Sequence, residues 1–230
     1  MADSRVFVIT GASSGIGAAT AVEASRRGHR LVLASRREEA LEEVASRCGG
    51  ETLTVPVDVT SWEQNERLAE AALERFGAID IVFANAGFGA SRSFSRQGDS
   101  PEHWREMVLT NVLGAAYTIR ASFDAVREAR GHFLLTGSVA GRVAIPGSLY
   151  SSTKWAVAGM GQSLRSELAG TGVRVTVIAP GMVDTPFFEQ MPAEGILLDE
   201  DIAGAVLWAV SQPERVDVNE ILVRPTVQAM

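Results

Sequence analysis

Cysteine and histidine are scarce in this sequence, with one cysteine and three histidines among 230 residues. The single Cys48 excludes an intrachain disulfide, and His29, His103 and His132 do not have the spacing of metal ligands. We therefore expect no metal site. A chain without disulfides is typical of a reducing compartment, so the sequence favours a cytoplasmic protein.

Long apolar segments and an excess of positive charge are also missing. The longest uniform apolar stretches have about the length of a β-strand, far short of the roughly 20 residues that a membrane helix needs. We expect no signal peptide, because a glycine-rich motif already begins at Thr10. The 28 acidic residues exceed the 21 basic residues and give a net charge of −7. The composition therefore argues against a membrane protein and against nucleic-acid binding.

Lysine is almost absent, since 20 of the 21 basic residues are arginine and only Lys154 is lysine. A bias toward GC-rich codons would explain the arginines. Arginine and lysine nevertheless differ in geometry, hydration and pKa range. The one lysine is therefore a candidate for a role that requires a compact ammonium group.

Short apolar segments alternate with segments of helical periodicity along the whole chain. Strands are predicted over Arg5–Thr10, Arg30–Ala34, Glu51–Val57, Ile79–Ala84, His132–Thr136, Val173–Ile178 and Glu220–Val223. Helices are predicted over Ile16–Gly28, Glu38–Arg47, Ser61–Phe76, Ser100–Arg127, Tyr150–Ala169 and Asp201–Val210. Ser61 and Gln64 have the spacing of a capping box at the start of the third helix. The alternation predicts a single α/β domain over residues 1–230, a doubly wound Rossmann fold whose mostly seven-stranded parallel sheet carries helices on both faces.

A glycine-rich segment, Thr10-Gly11-Ala12-Ser13-Ser14-Gly15-Ile16-Gly17, separates the first predicted strand from the first predicted helix. Glycines there permit a tight turn and a close approach of the backbone to a ligand. The N-terminus of the helix presents unpaired N–H groups to an anion. In this strand–turn–helix context the motif predicts binding of a dinucleotide pyrophosphate.

The end of the second predicted strand bears on the choice of nicotinamide cofactor. An acidic residue at this point binds the ribose 2′-hydroxyl in NAD-binding folds, whereas a nearby arginine accommodates a 2′-phosphate. The sequence has Ser35-Arg36-Arg37 and no acid there. The alternative, that the arginines merely begin a solvated helix, conflicts with the preference of helix N-termini for acids. The segment therefore predicts NADP(H) in preference to NAD(H).

Tyr150 and Lys154 lie four residues apart on a predicted helix, so their side chains share one face. A phenol with a pKa near 10 is a poor acid or base at neutral pH, and a nearby ammonium would lower that pKa. The ammonium could also hold ribose hydroxyls. The alternative is a surface lysine near a partly buried tyrosine, but chance would place the one lysine elsewhere among the 21 basic positions far more often.

Two further polar residues are candidates for the catalytic site. Ser138 follows the fifth predicted strand, and its hydroxyl could donate to a substrate carbonyl oxygen; a simple turn serine is the alternative. Asn111 lies inside the long predicted helix, where asparagine is unfavourable; a structural buried asparagine is the alternative. The predicted catalytic set is Asn111, Ser138, Tyr150 and Lys154.

Taken in order, these motifs resemble the short-chain dehydrogenase/reductase family over essentially the whole chain. The resemblance rests on T-G-x-x-x-G-x-G from Thr10, Asn85-Ala86-Gly87, Tyr150-x-x-x-Lys154 and Pro180-Gly181. It implies adenine contacts from Asp58 and Val59, and a water held by Asn111 between the lysine and solvent. It also implies a homodimer or homotetramer built through the helices that begin near Pro101 and Tyr150. Ser138 precedes Tyr150 by twelve residues, one fewer than in many relatives.

The predicted cofactor site combines the turn, the arginine pair and the segments that the resemblance adds. Its members are Gly11, Ser13, Ser14, Gly15, Ile16, Gly17, Ser35, Arg36, Arg37, Asp58, Val59, Asn85, Ala86, Gly87, Tyr150, Lys154, Pro180, Gly181, Val183 and Thr185. In the resemblance, the segment from Pro180 closes over the nicotinamide. Gly181 permits close approach, and Thr185 could bind the carboxamide.

The substrate is expected to be a small carbonyl compound or alcohol. The substrate-facing loops are predicted at Phe88–Ser95, at Ala140–Leu149 and at Met182–Met191, within a short substrate loop at about residues 182–199. They offer mostly apolar side chains, including Phe187, Phe188 and Met191, with Arg92 and Arg96 as cations.

The last part of the chain narrows the substrate class by resemblance. Val216–Pro225, with Thr226 and Gln228, is similar to relatives that act on serine or other 3-hydroxy acids and on antibiotic aldehydes. The sequence therefore predicts an NADP(H)-dependent oxidoreductase acting on an aldehyde, a ketone or a 3-hydroxy acid. A non-catalytic NADP(H)-binding regulator on the same fold stays open as an alternative, as does an epimerase or dehydratase.

Overall fold

The computed structural model describes residues 4–187 and 194–228. Its strands in these ranges are β1 (Val6–Thr10), β2 (Arg30–Ser35), β3 (Thr52–Pro56), β4 (Ile81–Ala84), β5 (His132–Thr136), β6 (Arg174–Pro180), β7 (Val183–Asp184), β8 (Leu197–Leu198) and β9 (Glu220–Val223). All except β7 and β8 form one parallel sheet in the order β3-β2-β1-β4-β5-β6-β9. Strand order reverses between β1 and β4, which is the switch point where such folds bind ligands. The predicted doubly wound α/β fold is confirmed.

The helices cover the two faces of this sheet. They are α1 (Gly15–Arg26), α2 (Glu38–Ser46), α3 (Trp62–Phe76), α4 (Pro101–Val108), α5 (Ala115–Glu128), α6 (Leu149–Leu168) and α7 (Asp199–Val210). Successive strand side chains point to opposite faces: on β1, Val6 and Val8 pack in the core shared with α3, α5 and α6, while Phe7 and Ile9 pack in the core shared with α1, α2 and α7. Both faces of the strands are therefore apolar, which explains their near-continuous hydrophobic sequence.

The predicted element bounds agree with the structure to within two residues, with three exceptions. The long helix predicted over Ser100–Arg127 is interrupted by a π-helical segment, Leu109–Gly114. The strands β7 and β8, a two-stranded parallel pair, were not predicted. Of the predicted capping box, one half is present, because the Ser61 hydroxyl accepts from Gln64 N at 3.3 Å. The other half is wrong, because the Gln64 side chain accepts from Asp58 N, at 2.8 Å, and not from Ser61 N.

A buried polar cluster lies at the end of the sheet opposite the carboxyl ends of the strands. The imidazole of His132, at the start of β5, lies 2.7 Å from the Thr176 hydroxyl through Nε2. Arg5 and Arg174 both donate to the carbonyl of Val210, the last residue of α7. Burial, followed by these two guanidiniums, holds the pKa of His132 well below its usual value.

We expect acid to destabilise the fold through His132. Because the pKa is lower in the folded chain than in the unfolded chain, only the unfolded chain takes up a proton as the pH falls below about 6.5. The free energy of unfolding should then drop by up to about 1.4 kcal/mol per pH unit for this one group. Urea unfolding between about pH 5 and pH 7.5 measures the slope. His29, whose pKa is also lowered by burial, adds to it.

The variant His132→Gln separates the contribution of His132 from the others, because glutamine cannot titrate. We expect a shallower slope in the variant, whatever its absolute stability. Equal slopes in the two proteins would show that His132 does not carry the acid sensitivity.

Candidate active site

The glycine-rich turn between β1 and α1 has little room for side chains. Gly11 and Gly15 have φ of +65° and +51°, a region that favours glycine. A Cβ built on Gly17 would lie 2.3 Å from the Gly11 carbonyl oxygen. The turn therefore exposes the first N–H groups of α1, which have no partner within the helix, to whatever binds there.

Arg37, which follows β2, is hydrogen-bonded to this turn, which follows β1. Its Nη2 donates to the hydroxyls of Ser13, at 2.9 Å, and Ser14, at 2.8 Å. Its backbone N donates to the Ser35 hydroxyl at 3.2 Å. Arg36 and Arg37 are both exposed at the surface, and these hydrogen bonds to the turn are made by Arg37. The structure thus distinguishes two arginines that the sequence treated as a pair, and it places the guanidinium of Arg37 beside the helix N-terminus.

Asn85 joins the carboxyl ends of three strands. Its Nδ2 donates to the Thr10 carbonyl oxygen at 3.1 Å, and its Oδ1 accepts from the Thr136 hydroxyl at 2.9 Å. A Cβ built on Gly11 would lie 2.8 Å from the Cα of Ala86. The predicted cofactor residues of this segment therefore lie at the switch point, with the Asn85 side chain engaged in holding the strand ends together.

The predicted adenine-binding residues follow β3 at the same edge. The Asp58 carboxylate accepts from the backbone N and the hydroxyl of Thr60, at 2.9 and 2.8 Å. Val59 is buried, and its Cγ2 would lie 2.6 Å from a Cβ built on Gly114. Asp58 is half-buried at the surface, whereas Val59 packs against the π-helical segment.

The π-helical segment presents Asn111 to the loop that follows β4. Asn111 is 2% exposed; its Oδ1 accepts from Phe88 N at 3.0 Å, and its Nδ2 donates to the Phe88 carbonyl at 2.9 Å and to the Thr153 hydroxyl at 3.1 Å. A Cβ built on Gly87 would lie 2.9 Å from Asn111 Oδ1 and 3.6 Å from Lys154 Nζ. Asn111 thus joins the β4 loop to α6 close to the lysine. Such π turns occur frequently at functional sites.

Tyr150 and Lys154 lie together on α6, as predicted. Lys154 is 4% exposed, its Nζ lies 5.6 Å from the centroid of the Tyr150 ring, and it donates to the Thr136 carbonyl at 2.8 Å. Burial lowers the pKa of Lys154 to about 8. Burial also raises the pKa of Tyr150 to about 12, and a hydrogen bond with the Ser138 side chain opposes part of that rise.

The predicted lowering of the Tyr150 pKa by the ammonium is wrong for this structure. Lys154 is buried and Tyr150 is half-buried, and burial disfavours the charged form of each. The ammonium is directed at the Thr136 carbonyl of β5, and the hydrogen bond with Ser138 only partly offsets the effect of burial on the phenol. At neutral pH the phenol of Tyr150 therefore keeps its proton.

Ser138 reaches Tyr150 through a tight loop. Its Oγ accepts from Ala140 N at 3.1 Å and lies 3.4 Å from the Pro180 carbonyl, and a 3₁₀ turn follows at Val139–Gly141. A Cβ built on Gly141 would lie 2.6 Å from the Lys154 carbonyl oxygen, so this turn packs directly on α6. The loop is one residue shorter than the resemblance implies and still brings Ser138 to the phenol.

One aromatic side chain packs directly on Tyr150, and the loop after β4 lies beyond it. The ring of Phe187 packs edge-on against Tyr150, with 5.4 Å between centroids, and a Cβ built on Gly89 would lie 2.6 Å from Phe187 Cζ. His103 Nε2 lies 2.9 Å from the Gly89 carbonyl, and its ring packs on Phe88.

Sequence reasoning did not find the contact of His103 with the loop after β4. Its signal is only a tertiary contact between α4 and the β4 loop. Arg92 and Arg96 are exposed. Phe188 and Met191, predicted to face the substrate, lie outside the described residues.

The segment after β6 returns to the glycine turn. The Cγ2 of Thr185 would lie 3.0 Å from a Cβ built on Gly15. Val183 is buried and pairs with Leu197 in the short β7–β8 sheet. The segment that begins at Pro180 therefore lies at the carboxyl ends of the strands together with the turn and the Tyr150 group.

Two negative findings apply to residues 4–187 and 194–228. None of the helices there combines the length and the hydrophobicity needed to cross a bilayer. In the same part of the chain, no three or more His, Cys, Asp or Glu side chains are grouped so that they could hold a metal ion.

Comparison with known proteins gives consistent matches along the chain. The family model described as short chain dehydrogenase matches residues 5–195. An uncharacterized oxidoreductase of Staphylococcus saprophyticus is 42% identical, over 96% of this chain and 97% of that protein. The structure of an alcohol dehydrogenase from the archaeon Thermococcus sibiricus, complexed with 5-hydroxy-NADP, superposes with a TM-score of 0.90 at 34% identity and covers 98% of both chains. A closed form of serine dehydrogenase complexed with NADP+ gives 0.89 at 28% identity, over 98% of this chain and 96% of that one.

Proposed function

The chain belongs to the short-chain dehydrogenase family, and we propose that it is an NADP(H)-dependent oxidoreductase that interconverts a carbonyl compound and an alcohol. The observation that carries the proposal is that Ser138, Tyr150 and Lys154 come together at the carboxyl ends of the strands, where the glycine-rich turn also lies. Two structural neighbours, the alcohol dehydrogenase and the serine dehydrogenase, were solved with NADP-type ligands.

The residues at this edge fit a dinucleotide. The close packing of Gly11, Gly15 and Gly17 leaves the N-terminus of α1 accessible to a pyrophosphate. Ser13, Ser14 and Ile16 belong to the same turn and would also contact the pyrophosphate. The 2′-phosphate would be bound by Ser35, Arg36 and Arg37, and the adenine by Asp58 and Val59. The middle of the dinucleotide would lie on Asn85, Ala86 and Gly87, the nicotinamide ribose on Tyr150 and Lys154, and the nicotinamide on Pro180, Gly181, Val183 and Thr185.

When bound, the nicotinamide supplies or takes up a hydride at the substrate carbon. The chain's own residues manage the oxygen and its proton. We infer that the Tyr150 phenol donates its proton to the carbonyl oxygen, and that the Ser138 hydroxyl donates a hydrogen bond to the same oxygen. The phenol is protonated at neutral pH, which is the form that a proton donor needs.

Lys154 supports the proton transfer in two ways. Below about pH 8 its ammonium is protonated and stabilises the phenolate that remains after donation. Its other hydrogens can hold ribose hydroxyls. Asn111 Oδ1 and Lys154 Nζ both lie close to Gly87. We infer that Asn111, on the π-helical segment, supports the supply of protons to the lysine.

The substrate class follows from the surroundings of the phenol. Phe187 packs on Tyr150 and on Gly89, and this apolar contact favours a small or medium-sized aldehyde, ketone or 3-hydroxy acid. The likeness to serine dehydrogenase supports the 3-hydroxy acid class in particular.

The test is NADPH oxidation, followed by absorbance, against a panel of aldehydes, ketones and 3-keto acids, with NADP+ reduction tested on the corresponding alcohols. We expect turnover of at least one carbonyl class. A protein that binds NADPH and turns over nothing would be a regulator. A protein that converts a sugar or hydroxy acid with no net change in NADPH would be an epimerase or dehydratase. Either result would contradict the proposal.

The cofactor preference is tested with Arg37→Ala and Arg36→Ala. Because Arg37 lies on the turn, its loss should lower kcat/KM for NADPH about 10- to 100-fold, the usual value of a charged hydrogen bond, and leave that for NADH within about twofold. Loss of the exposed Arg36 should have a smaller effect in the same direction.

The matched control is Arg127→Ala, an exposed arginine on α5 that lies away from the turn. It should leave both cofactor efficiencies unchanged. If neither Arg37→Ala nor Arg36→Ala reduces the preference for NADPH, the 2′-phosphate site is assigned to the wrong residues.

Assembly and compartment are part of the same proposal. A groove of about 590 Å³ between α3, α5 and α6 is lined by apolar side chains, which include Ile119, Phe123 and Met160, and by charged ones, which include Glu66, Arg120 and Asp124. This mixed lining on α5 and α6 supports a homodimer or homotetramer formed through the helices that begin near Pro101 and Tyr150. The single cysteine supports a cytoplasmic location.

A further inference from the structure

A turn at residues Pro225–Gln228 packs against the start of the segment that follows β6. The backbone N of Gln228 donates to the Pro225 carbonyl at 3.0 Å and closes the turn. The Gln228 Oε1 accepts from the backbone N of Met182 at 2.9 Å. The Met182 carbonyl in turn accepts from Leu197 N at 3.1 Å. Both polar backbone groups of Met182 are therefore held, one by the turn and one by β8.

The Gln228 contact lies just beyond the last pairing of β6 with β9. Gly181 N donates to the carbonyl of Val223, the last residue of β9. Pro225 has no N–H and cannot donate back to β6, and the chain turns away there. From this turn, the side-chain carbonyl of Gln228 accepts from the adjacent backbone donor, Met182 N. A side chain thus holds the backbone just beyond the end of the sheet.

The packing around this hydrogen bond is close. A Cβ built on Gly181 would lie 2.3 Å from Gln228 Oε1 and 2.9 Å from Pro225 Cδ. At the other end of the segment, a Cβ built on Gly195 would lie 3.4 Å from Val227 Cγ1. The turn therefore contacts the chain both before β7 and just before β8. A side chain at position 181 would displace the Gln228 amide and collide with the Pro225 ring, so glycine fits there independently of any ligand.

We propose that Gln228 is a positioning residue for the nicotinamide end of the cofactor site. Because Gln228 fixes Met182, it sets the backbone path of the residues that follow, which include Val183 and Thr185. Val183 is buried and Thr185 contacts the glycine turn, so a shift at Met182 would move both. This inference rests on the proposed binding of NADP(H), and it assigns no contact between Gln228 and a ligand.

The test compares Gln228→Met, which keeps the shape and removes the acceptor, with Gln228→Glu, which keeps an acceptor oxygen. The ligands are NADPH and 2′,5′-ADP, of which only NADPH carries the nicotinamide half. We expect Gln228→Met to raise the Kd for NADPH about five- to tenfold, the effect of one lost hydrogen bond, and to leave that for 2′,5′-ADP within about twofold. Gln228→Glu should restore most of the NADPH affinity.

A second readout needs no ligand. Amide hydrogen exchange over residues 181–187 should be faster in Gln228→Met than in the wild type, and close to the wild-type rate in Gln228→Glu. Unchanged exchange, equal loss of both ligands, or a glutamate variant as weak as the methionine variant would each overturn the positioning role. A wild type that binds neither ligand would overturn the proposed function instead, while the exchange rates would still decide whether Gln228 holds Met182.

Discussion

Replacing Tyr150 by phenylalanine is expected to lower kcat for carbonyl reduction about 10³-fold or more, because the proton donor is removed and the ring is kept. The ring contact with Phe187 and the packing on α6 need no hydroxyl, so the fold and the Kd for NADPH should change little. Single-turnover oxidation of NADPH in the presence of a reducible substrate measures the chemical step, and fluorescence titration measures cofactor binding.

The chain offers a matched control for this substitution, because its only other tyrosine is Tyr117. Tyr117 packs against Trp62 away from the site, with 5.6 Å between ring centroids. Tyr117→Phe should leave kcat unchanged. Turnover by Tyr150→Phe at a rate near that of the wild type would refute the assignment of Tyr150 as proton donor.

Replacing Lys154 by arginine is expected to lower kcat/KM about 10²- to 10³-fold, although the positive charge is kept. The Nζ occupies a closed space: it donates to the Thr136 carbonyl at 2.8 Å, and even a Cβ on Gly87 would lie 3.6 Å from it. A planar guanidinium cannot occupy the same point. Steady-state kinetics with NADPH measures the loss, and the melting temperature of the variant shows whether it is folded.

The pH dependence distinguishes the ammonium of Lys154 from a purely structural lysine. Burial lowers the pKa of Lys154 to about 8, so the protonated form that stabilises the phenolate is lost as the pH rises through that value. In the wild type, kcat/KM for NADPH should fall above about pH 8. In Lys154→Arg that fall should move to higher pH, and in the isosteric, neutral Lys154→Met the activity should be low at every pH.

Retention of activity in Lys154→Arg to within about threefold would contradict this role. Codon usage would then explain the arginines, and the presence of lysine at position 154 would have no chemical reason. A folded Lys154→Met variant with wild-type activity would have the same meaning.

Local sequence patterns were sufficient to predict the sheet, the glycine turn and the position of Tyr150 and Lys154 on one helix. Each of these depends on neighbours in the sequence: alternating apolar segments for the strands, glycines for the turn before α1, and a four-residue spacing for Tyr150 and Lys154. The helix starts at Ser61 and Ser100 were also readable, because a hydroxyl caps the N–H three residues later in both.

The features that escaped prediction depend on contacts between distant parts of the chain. The π-helical segment coincides with hydrogen bonds from Asn111 to Phe88 and to Thr153, far away in sequence. The choice between Arg36 and Arg37 depends on which side chain reaches the turn. The pKa of Tyr150 depends on burial, which no spacing reveals.

The same limit applies to the two-residue strands. β7 and β8 are too short to show a period, and they pair across an intervening stretch of chain. The contact of Gln228 with Met182 joins positions 46 residues apart. Such pairings are set by the whole fold and leave no local pattern in the sequence.

The π-helical segment at Leu109–Gly114 also breaks the apolar period between α4 and α5. Its hydrogen bonds span one residue more than those of an α-helix, so a π turn takes up one extra residue. The apolar face of α5, which includes Ile119 and Val126, is therefore out of phase with the apolar positions of α4. An α-helical period continued from α4 without this offset would misplace the core face of α5 by about 100° around the axis. The phase of α5 and the position of Asn111 thus depend on the same wide turn.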